Sequence, residues 1–126
     1  MKRNELIVIS LSLGGLLFVL NEVALYLNLF WTLEWLDLAF HFIGGFAVGG
    51  IAVGLFVKRR MGFWKAVSIV IFTTLIIALI WESYEFIFRD SYSREYTLDT
   101  LTDIILGVAG GISAIYIVPR NVLKSN

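Results

Sequence analysis

The chain has 126 residues, of which 59% are hydrophobic and only 16% are charged, and its mean hydropathy is +0.85. A soluble domain of this size leaves too much surface exposed to hide so many apolar side chains, so the composition excludes an ordinary soluble protein and predicts a membrane protein. The net charge of zero argues against nucleic-acid binding. The absence of cysteine excludes disulfides, iron–sulfur clusters and thiolate zinc sites.

Four apolar stretches are each long enough, at about 20 residues or more, to cross a hydrocarbon core as a helix. In chain order these spans cover residues 6–29, 36–57, 63–88 and 98–118. The connections are short, so consecutive helices are expected to be antiparallel neighbours. The sequence therefore predicts an all-α, four-helix antiparallel transmembrane bundle that forms a single domain over residues 1–126.

The basic residues predict how this bundle is oriented. Eight of the ten Lys and Arg residues lie before span one, between or just inside spans two and three, or after span four. Arg89 and Arg94 alone lie on the other side. Because basic residues collect on the cytoplasmic side, both termini are predicted to be cytoplasmic, in a multi-pass protein of a prokaryotic plasma membrane.

The acidic side chains gather at the opposite, outer end of the spans. Span one carries Glu22 near its outer end, and span two begins with Asp37, one helical turn before His41, the only histidine. Asp37 and His41 are four residues apart, so both side chains are expected on one face of the helix.

The same arrangement recurs in the other two spans. Glu82 and Glu85 are three residues apart near the outer end of span three, and Asp99 and Asp103 are four residues apart at the start of span four. A charge that faces hydrocarbon costs at least ~2.5 kcal/mol, so all of these groups are expected to face the bundle interior. The predicted members of this outer cluster are Glu22, Asp37, His41, Glu82, Glu85, Asp99 and Asp103.

Six carboxylates in a partly dry pocket need protons or cations to balance their charge. The nearby Arg89 and Arg94 are too few, so the cluster predicts a divalent metal site with Glu22 at its edge. Carboxylate oxygens with one imidazole suit Zn, Mn, Mg or Fe(II), and di-metal carboxylate bundles use similar spacings on four helices.

Each member of the cluster also has a simpler structural explanation. Asp37 and Asp99 stand where helix N-caps are favoured, and His41 can bond to a neighbouring carboxylate. Glu82 and Glu85 can be solvated or protonated acids, and Glu22 can form a hydrogen bond with an aromatic side chain. Together these explanations account poorly for acids that converge on one end while basic residues avoid it.

Spans two and four share the pattern L-D-x-x-x-[H/D]-x-x-x-G-x-x-x-G, which begins at Leu36 and again at Leu98. The pattern favours two helix hairpins related by a pseudo-two-fold axis along the membrane normal, with chance similarity of two glycine-rich spans as the alternative. Small residues four apart let helices approach closely in lipid, so spans two and four are expected to pack together or to form a homodimer contact. The glycines of the pattern are Gly45, Gly49, Gly107 and Gly111.

Three spaced motifs carry a resemblance to known membrane proteins. They are D-x-x-x-H at 37–41, W-E-x-x-E at 81–85 and D-x-x-x-D-x-x-x-G at 99–107. With them the chain resembles VanZ-like proteins and, through W-E-x-x-E, the YjdF-like family. VanZ-like proteins usually have Lys, an amide and Asn where this chain has Leu38, Glu85 and Asp103. The resemblance implies a cell-envelope role and no particular reaction.

Three functions are compatible with these residues, and the lipid bilayer is the expected partner in each. The first is a membrane module that binds a metal, or an amphipathic ligand such as a lipid, from the outer face. The second is a metal-dependent enzyme acting on a lipid or lipid-linked envelope substrate, in which Arg94 would bind a phosphate. The third is a transporter or ion-coupled subunit, although the inner halves of the spans lack ionisable groups.

Overall fold

The computed structural model describes residues 3–58, 60–88 and 96–117, and these residues form helices joined by short connections. Four of the helices are long and apolar enough to cross a membrane, which confirms the predicted all-α, four-span architecture. The helices are α1 (Arg3–Tyr26), α2 (Leu29–Thr32), α3 (Glu34–Phe56), α4 (Phe63–Phe88) and α5 (Tyr96–Ile117).

The first span ends earlier than the hydropathy predicts. Helix α1 stops at Tyr26, and the short helix α2 begins at Leu29. Between them Asn28 has a φ of 54°, in the left-handed region that asparagine tolerates better than most residues. An uninterrupted apolar run does not reveal this break, because the break depends on the backbone conformation of one residue.

Contacts at the helix ends show that neighbouring spans are antiparallel. The Arg3 guanidinium, at the start of α1, donates hydrogen bonds to the carbonyl oxygens of Leu55 and Val57 at the end of α3, at 3.1 and 3.2 Å. The rings of Phe63 at the start of α4 and Tyr116 at the end of α5 lie 6.0 Å apart. Arg3 therefore also satisfies carbonyls that the end of a helix leaves without a partner.

Helices α3 and α5 run parallel and meet through glycines. A Cβ added to Gly45 would fall on the carbonyl of Gly107, and one added to Gly49 would lie 2.7 Å from the Cα of Gly111. The predicted close packing of spans two and four is thus confirmed. Because Gly45 and Gly107, like Gly49 and Gly111, are equivalent positions of the repeated pattern, their contact fits a pseudo-two-fold axis between α3 and α5.

The second glycine pair of α3 packs against α1. A Cβ on Gly50 would meet the hydroxyl oxygen of Ser10, and a Cβ on Gly54 would meet the side chain of Ile7. Gly50 and Gly54 are therefore in contact with α1 within the chain.

The apolar core lies at the end of the bundle where α1 and α4 begin and α3 ends. Its buried members include Leu6, Val53, Val57, Ala66 and Val70, each at most 6% exposed. The acidic ends of α3, α4 and α5 are at the opposite end. Tight apolar packing and the acidic residues are thus separated along the bundle axis.

The orientation can be tested with single cysteines, because the natural chain contains none. Thr32 in α2 and Gly62 before α4 are both exposed and lie at opposite ends of the bundle. With intact cells and a membrane-impermeant maleimide, Thr32→Cys should react, and Gly62→Cys should react only after permeabilisation. The reverse result would contradict the positive-inside assignment.

The glycine contact makes a prediction about stability. Gly49→Ala should destabilise the protein by about 1–3 kcal/mol, because the new methyl group overlaps the α5 backbone. Gly15→Ala is the control, since a Cβ there meets nothing within 4 Å. The measurement is the melting temperature in detergent. Equal melting temperatures for the two variants would show that α3 and α5 do not approach this closely.

Candidate metal centre

The antiparallel topology brings three acidic helix ends together. Asp37 and His41 lie in the first turns of α3, and Asp99 and Asp103 lie in the first turns of α5. Because α4 runs the other way, its last turns reach the same level, and they carry Glu82 and Glu85. Six of the seven predicted site residues therefore lie at one end of a three-helix group.

His41 is at the centre of this group. Its Nε2 atom lies 3.7 Å from Oδ1 of Asp37 and 3.6 Å from Oδ2 of Asp103, and its Nδ1 atom lies 3.9 Å from Oε1 of Glu82. The imidazole thus contacts carboxylates from α3, α4 and α5. These separations are longer than hydrogen bonds, so there is space between the groups.

Three carboxylates of the centre are well buried, whereas the Asp37 side chain is 27% exposed and Asp99 is exposed. Asp103 is 3% exposed, Glu82 is 6% exposed and Glu85 is 7% exposed, and the His41 side chain is 9% exposed. A buried carboxylate is normally satisfied by several donors or by a cation. Oδ1 of Asp103 is buried and accepts no hydrogen bond from the described residues.

Three groupings of these side chains have donor atoms close enough to share an ion. In each, one donor atom per residue lies within 4.8 Å of the others. Asp37, His41 and Asp103 each belong to two groupings, so the three describe one connected site. The groupings are Asp37 with His41 and Glu85, His41 with Glu82 and Asp103, and Asp37 with Asp99 and Asp103.

The separations around His41 fit a small cation. Bonds from zinc to nitrogen or oxygen are about 2.0–2.2 Å, so two ligands of one ion lie no more than about 4.4 Å apart. Nε2 of His41 is within that distance of both Asp37 and Asp103. Glu82 is on the Nδ1 side, where a carboxylate commonly orients a metal-binding histidine.

Helix α1 contributes the amide of Asn21 to this region, whereas its acidic residue, Glu22, belongs to none of the three groupings. Glu22 is exposed, and its Oε1 accepts a 3.4 Å hydrogen bond from Nδ2 of Asn21. Asn21, only 3% exposed, is the buried polar residue at this end of α1. The candidate centre therefore joins three helices, whereas the sequence predicts four. Arg94, the predicted phosphate ligand, lies outside the described residues.

Sequence reasoning missed two polar residues near the acids. Asn21 and Thr100 each stand beside a predicted site residue in the chain, and the Thr100 hydroxyl is buried without a hydrogen-bond partner among the described residues. Thr100 is three residues before Asp103, so the two share a helix face. The sequence signal that could have identified Thr100 is an uncharged polar residue on the same helix face as Asp103.

A cavity of about 250 Å³ adjoins the centre and extends into the bundle. Asp37 and His41 form part of its wall at one end, and most of the remaining wall is apolar. Its lining residues come from α1, α3 and α4, together with Gly107 of α5. The acidic centre is thus accessible from an apolar space at membrane depth.

A family model described as "Predicted membrane protein (DUF2238)" matches residues 4–122. No curated protein and no solved structure matches the chain. The matched region includes all four spans and every residue of the candidate centre. The chain therefore belongs to this family of membrane proteins, DUF2238.

Proposed function

We propose that this protein binds a divalent cation at the end of the bundle where α3, α4 and α5 bring their acids together. The observation that carries the proposal is the convergence on His41 of carboxylates from three helices, within 3.6–3.9 Å. The buried Asp103 oxygen that accepts no hydrogen bond from the described residues supports it.

Charge balance favours a cation. Among residues 3–58, 60–88 and 96–117, the Lys and Arg side chains all belong to the opposite end of the bundle, at Arg3, Lys58, Arg60 and Lys65. Within that described part of the chain, His41 carries the one basic group near enough to offset the carboxylates. A buried charge without compensation costs several kcal/mol, and one divalent ion would offset several carboxylates at once.

The donor set limits the choice of metal. Carboxylate oxygens with a single imidazole suit Zn, Mn, Mg or Fe(II), and they do not favour soft ions that prefer thiolates. We place the site on the outer side of a prokaryotic plasma membrane, because the basic residues predict that orientation. An envelope role agrees with the resemblance of the 37–41 and 81–85 motifs to VanZ-like and YjdF-like proteins.

Metal binding should stabilise the fold, since the ion would link three helices. At 100 times the dissociation constant a ligand adds about 2.7 kcal/mol to the free energy of unfolding. Manganese or zinc should therefore raise the melting temperature of the purified protein in detergent, and a chelator should lower it. Asp103→Asn and His41→Ala should lose most of this response and most of the bound metal measured by elemental analysis.

Glu22→Gln is the matched control, because it removes a carboxylate that lies outside the groupings. It should retain both the bound metal and the thermal shift. If the wild-type protein contains no stoichiometric metal, and added Mn, Zn or Mg does not change its melting temperature, the metal site does not exist. The cluster would then be a protonated hydrogen-bond network.

The adjoining cavity favours a second candidate, a metal-dependent enzyme that acts on a lipid or lipid-linked substrate. A bound ion could polarise a phosphoryl oxygen or activate water at the mouth of the cavity. Glu85 and Asp99 belong to one grouping each, so either could remain as a general base while other carboxylates hold the ion. Arg94 would bind a phosphate in this mechanism.

Catalysis predicts metal-dependent turnover of a lipid phosphate. The manganese-loaded protein should release inorganic phosphate from phosphatidic acid in mixed micelles, at a rate that Asp103→Asn lowers at least tenfold and Glu22→Gln leaves unchanged. Phosphate release is measured continuously with a coupled colorimetric assay. A rate equal to that of the metal-free protein would exclude this substrate class and leave the binding role.

A further inference from the structure

The cavity beside the metal centre is long and parallel to the helices. On α3 its wall extends from Asp37 to Ile51, which at 1.5 Å per residue is about 21 Å. That length is about two-thirds of a ~30 Å hydrocarbon core. On α1 and α4 the wall is shorter, from Gly14 to Asn21 and from Thr74 to Trp81, about 10 Å each. The cavity is therefore a slot that begins at the acidic end and passes the middle of the membrane only along α3.

Glycines form the slot by leaving space. A Cβ added to Gly14 of α1 or Gly44 of α3 would meet nothing within 4 Å, although both residues line the cavity. Gly45 and Gly49, in contrast, are in contact with the α5 backbone. Gly45 therefore both packs on α5 and lines the cavity, whereas Gly14 and Gly44 border open volume.

The slot is accessible from the lipid. Phe18 on the α1 wall is 49% exposed, and Ile77 on the α4 wall is 44% exposed. The rings of Phe18 and Trp81 meet edge to face at 6.3 Å and connect the two walls at one level. An apolar volume of this kind does not retain water, so in a bilayer it would fill with hydrocarbon.

We propose that the slot holds one acyl chain of a membrane phospholipid, with the phosphate headgroup at the metal centre. The volume of about 250 Å³ is below the range of ~300–1,000 Å³ for whole small-molecule ligands. It suits a single chain, with the rest of the lipid outside. The acyl chains of a bilayer lie at the same depth as the slot and are roughly parallel to the helices.

The polar end of the slot decides which headgroup is accepted. Asp37 and His41 are part of the wall there, with Asp103 directly behind. Carboxylates alone would repel a phosphate, but a divalent cation held by them would coordinate its oxygens. This headgroup assignment rests on the proposed metal site, whereas the acyl-chain assignment does not.

Native mass spectrometry of the manganese-loaded protein in detergent tests the proposal, with 1-palmitoyl-2-oleoyl phosphatidic acid as the probe. One lipid should remain bound to the wild-type protein. Gly44→Leu fills the slot, and Val48→Phe fills it from a second position on the same wall. Each should reduce lipid occupancy at least tenfold while manganese binding is retained. Gly15→Leu, on an exposed face outside the slot, should bind lipid like the wild type.

The headgroup is tested separately with Asp103→Asn and with the corresponding diacylglycerol. Both changes should weaken lipid binding, and inorganic phosphate alone should bind far less than phosphatidic acid. Unchanged lipid occupancy in Gly44→Leu and Val48→Phe overturns the acyl-chain site, even if manganese still binds. Equal binding of diacylglycerol and phosphatidic acid overturns the headgroup assignment. If manganese does not bind but Gly44→Leu still displaces lipid, the metal proposal fails and the acyl-chain site stands.

Discussion

The burial of carboxylates around one histidine is the constraint on which the rest of this structure depends. Glu82, Glu85 and Asp103 are all at most 7% exposed, at the end of a bundle whose outer surface is mostly apolar. Charges in such surroundings must be compensated, since water cannot reach them freely. Three helix ends meet at one level, and either protons or a cation must balance the charge there. A divalent cation is the partner that we propose.

The glycine contact between α3 and α5 makes this meeting possible. Gly45 is one helical turn from His41, and Gly107 is one turn from Asp103. Because a Cβ at Gly45 would overlap the backbone of Gly107, any larger residue would separate the two helices just below the centre. The 3.6 Å separation between His41 and Asp103 depends on that contact. Close packing in the middle of the bundle and the geometry of the acidic cluster at its end are therefore coupled through single helical turns.

The slot gives the acidic end an apolar neighbour, and the combination suits an amphipathic ligand. A metal centre that faced only water would select ions or small anions. Here the wall of the slot continues from His41 past the middle of the bundle, so a ligand can place hydrocarbon and a polar group in adjacent sites. The two proposed functions, metal binding and metal-dependent catalysis, use this same geometry. They differ in whether the headgroup of the bound lipid reacts.

The sequence by itself determined the four spans, the predicted orientation and six members of the acidic cluster. Hydropathy over about 20 residues, the distribution of Lys and Arg, and acids three or four residues apart are local signals that do not depend on how helices pack. Only the tertiary structure decided that Glu22 is exposed while Asn21 is buried, because neighbours on a helix face different directions and the rotation of α1 is set by its packing on α3. It also decided that Gly45 and Gly49 meet the backbone of α5, whereas a Cβ on the adjacent Gly44 would meet nothing within 4 Å. The sequence shows where the glycines are, and only the position of the neighbouring helix decides which of them a side chain would overlap.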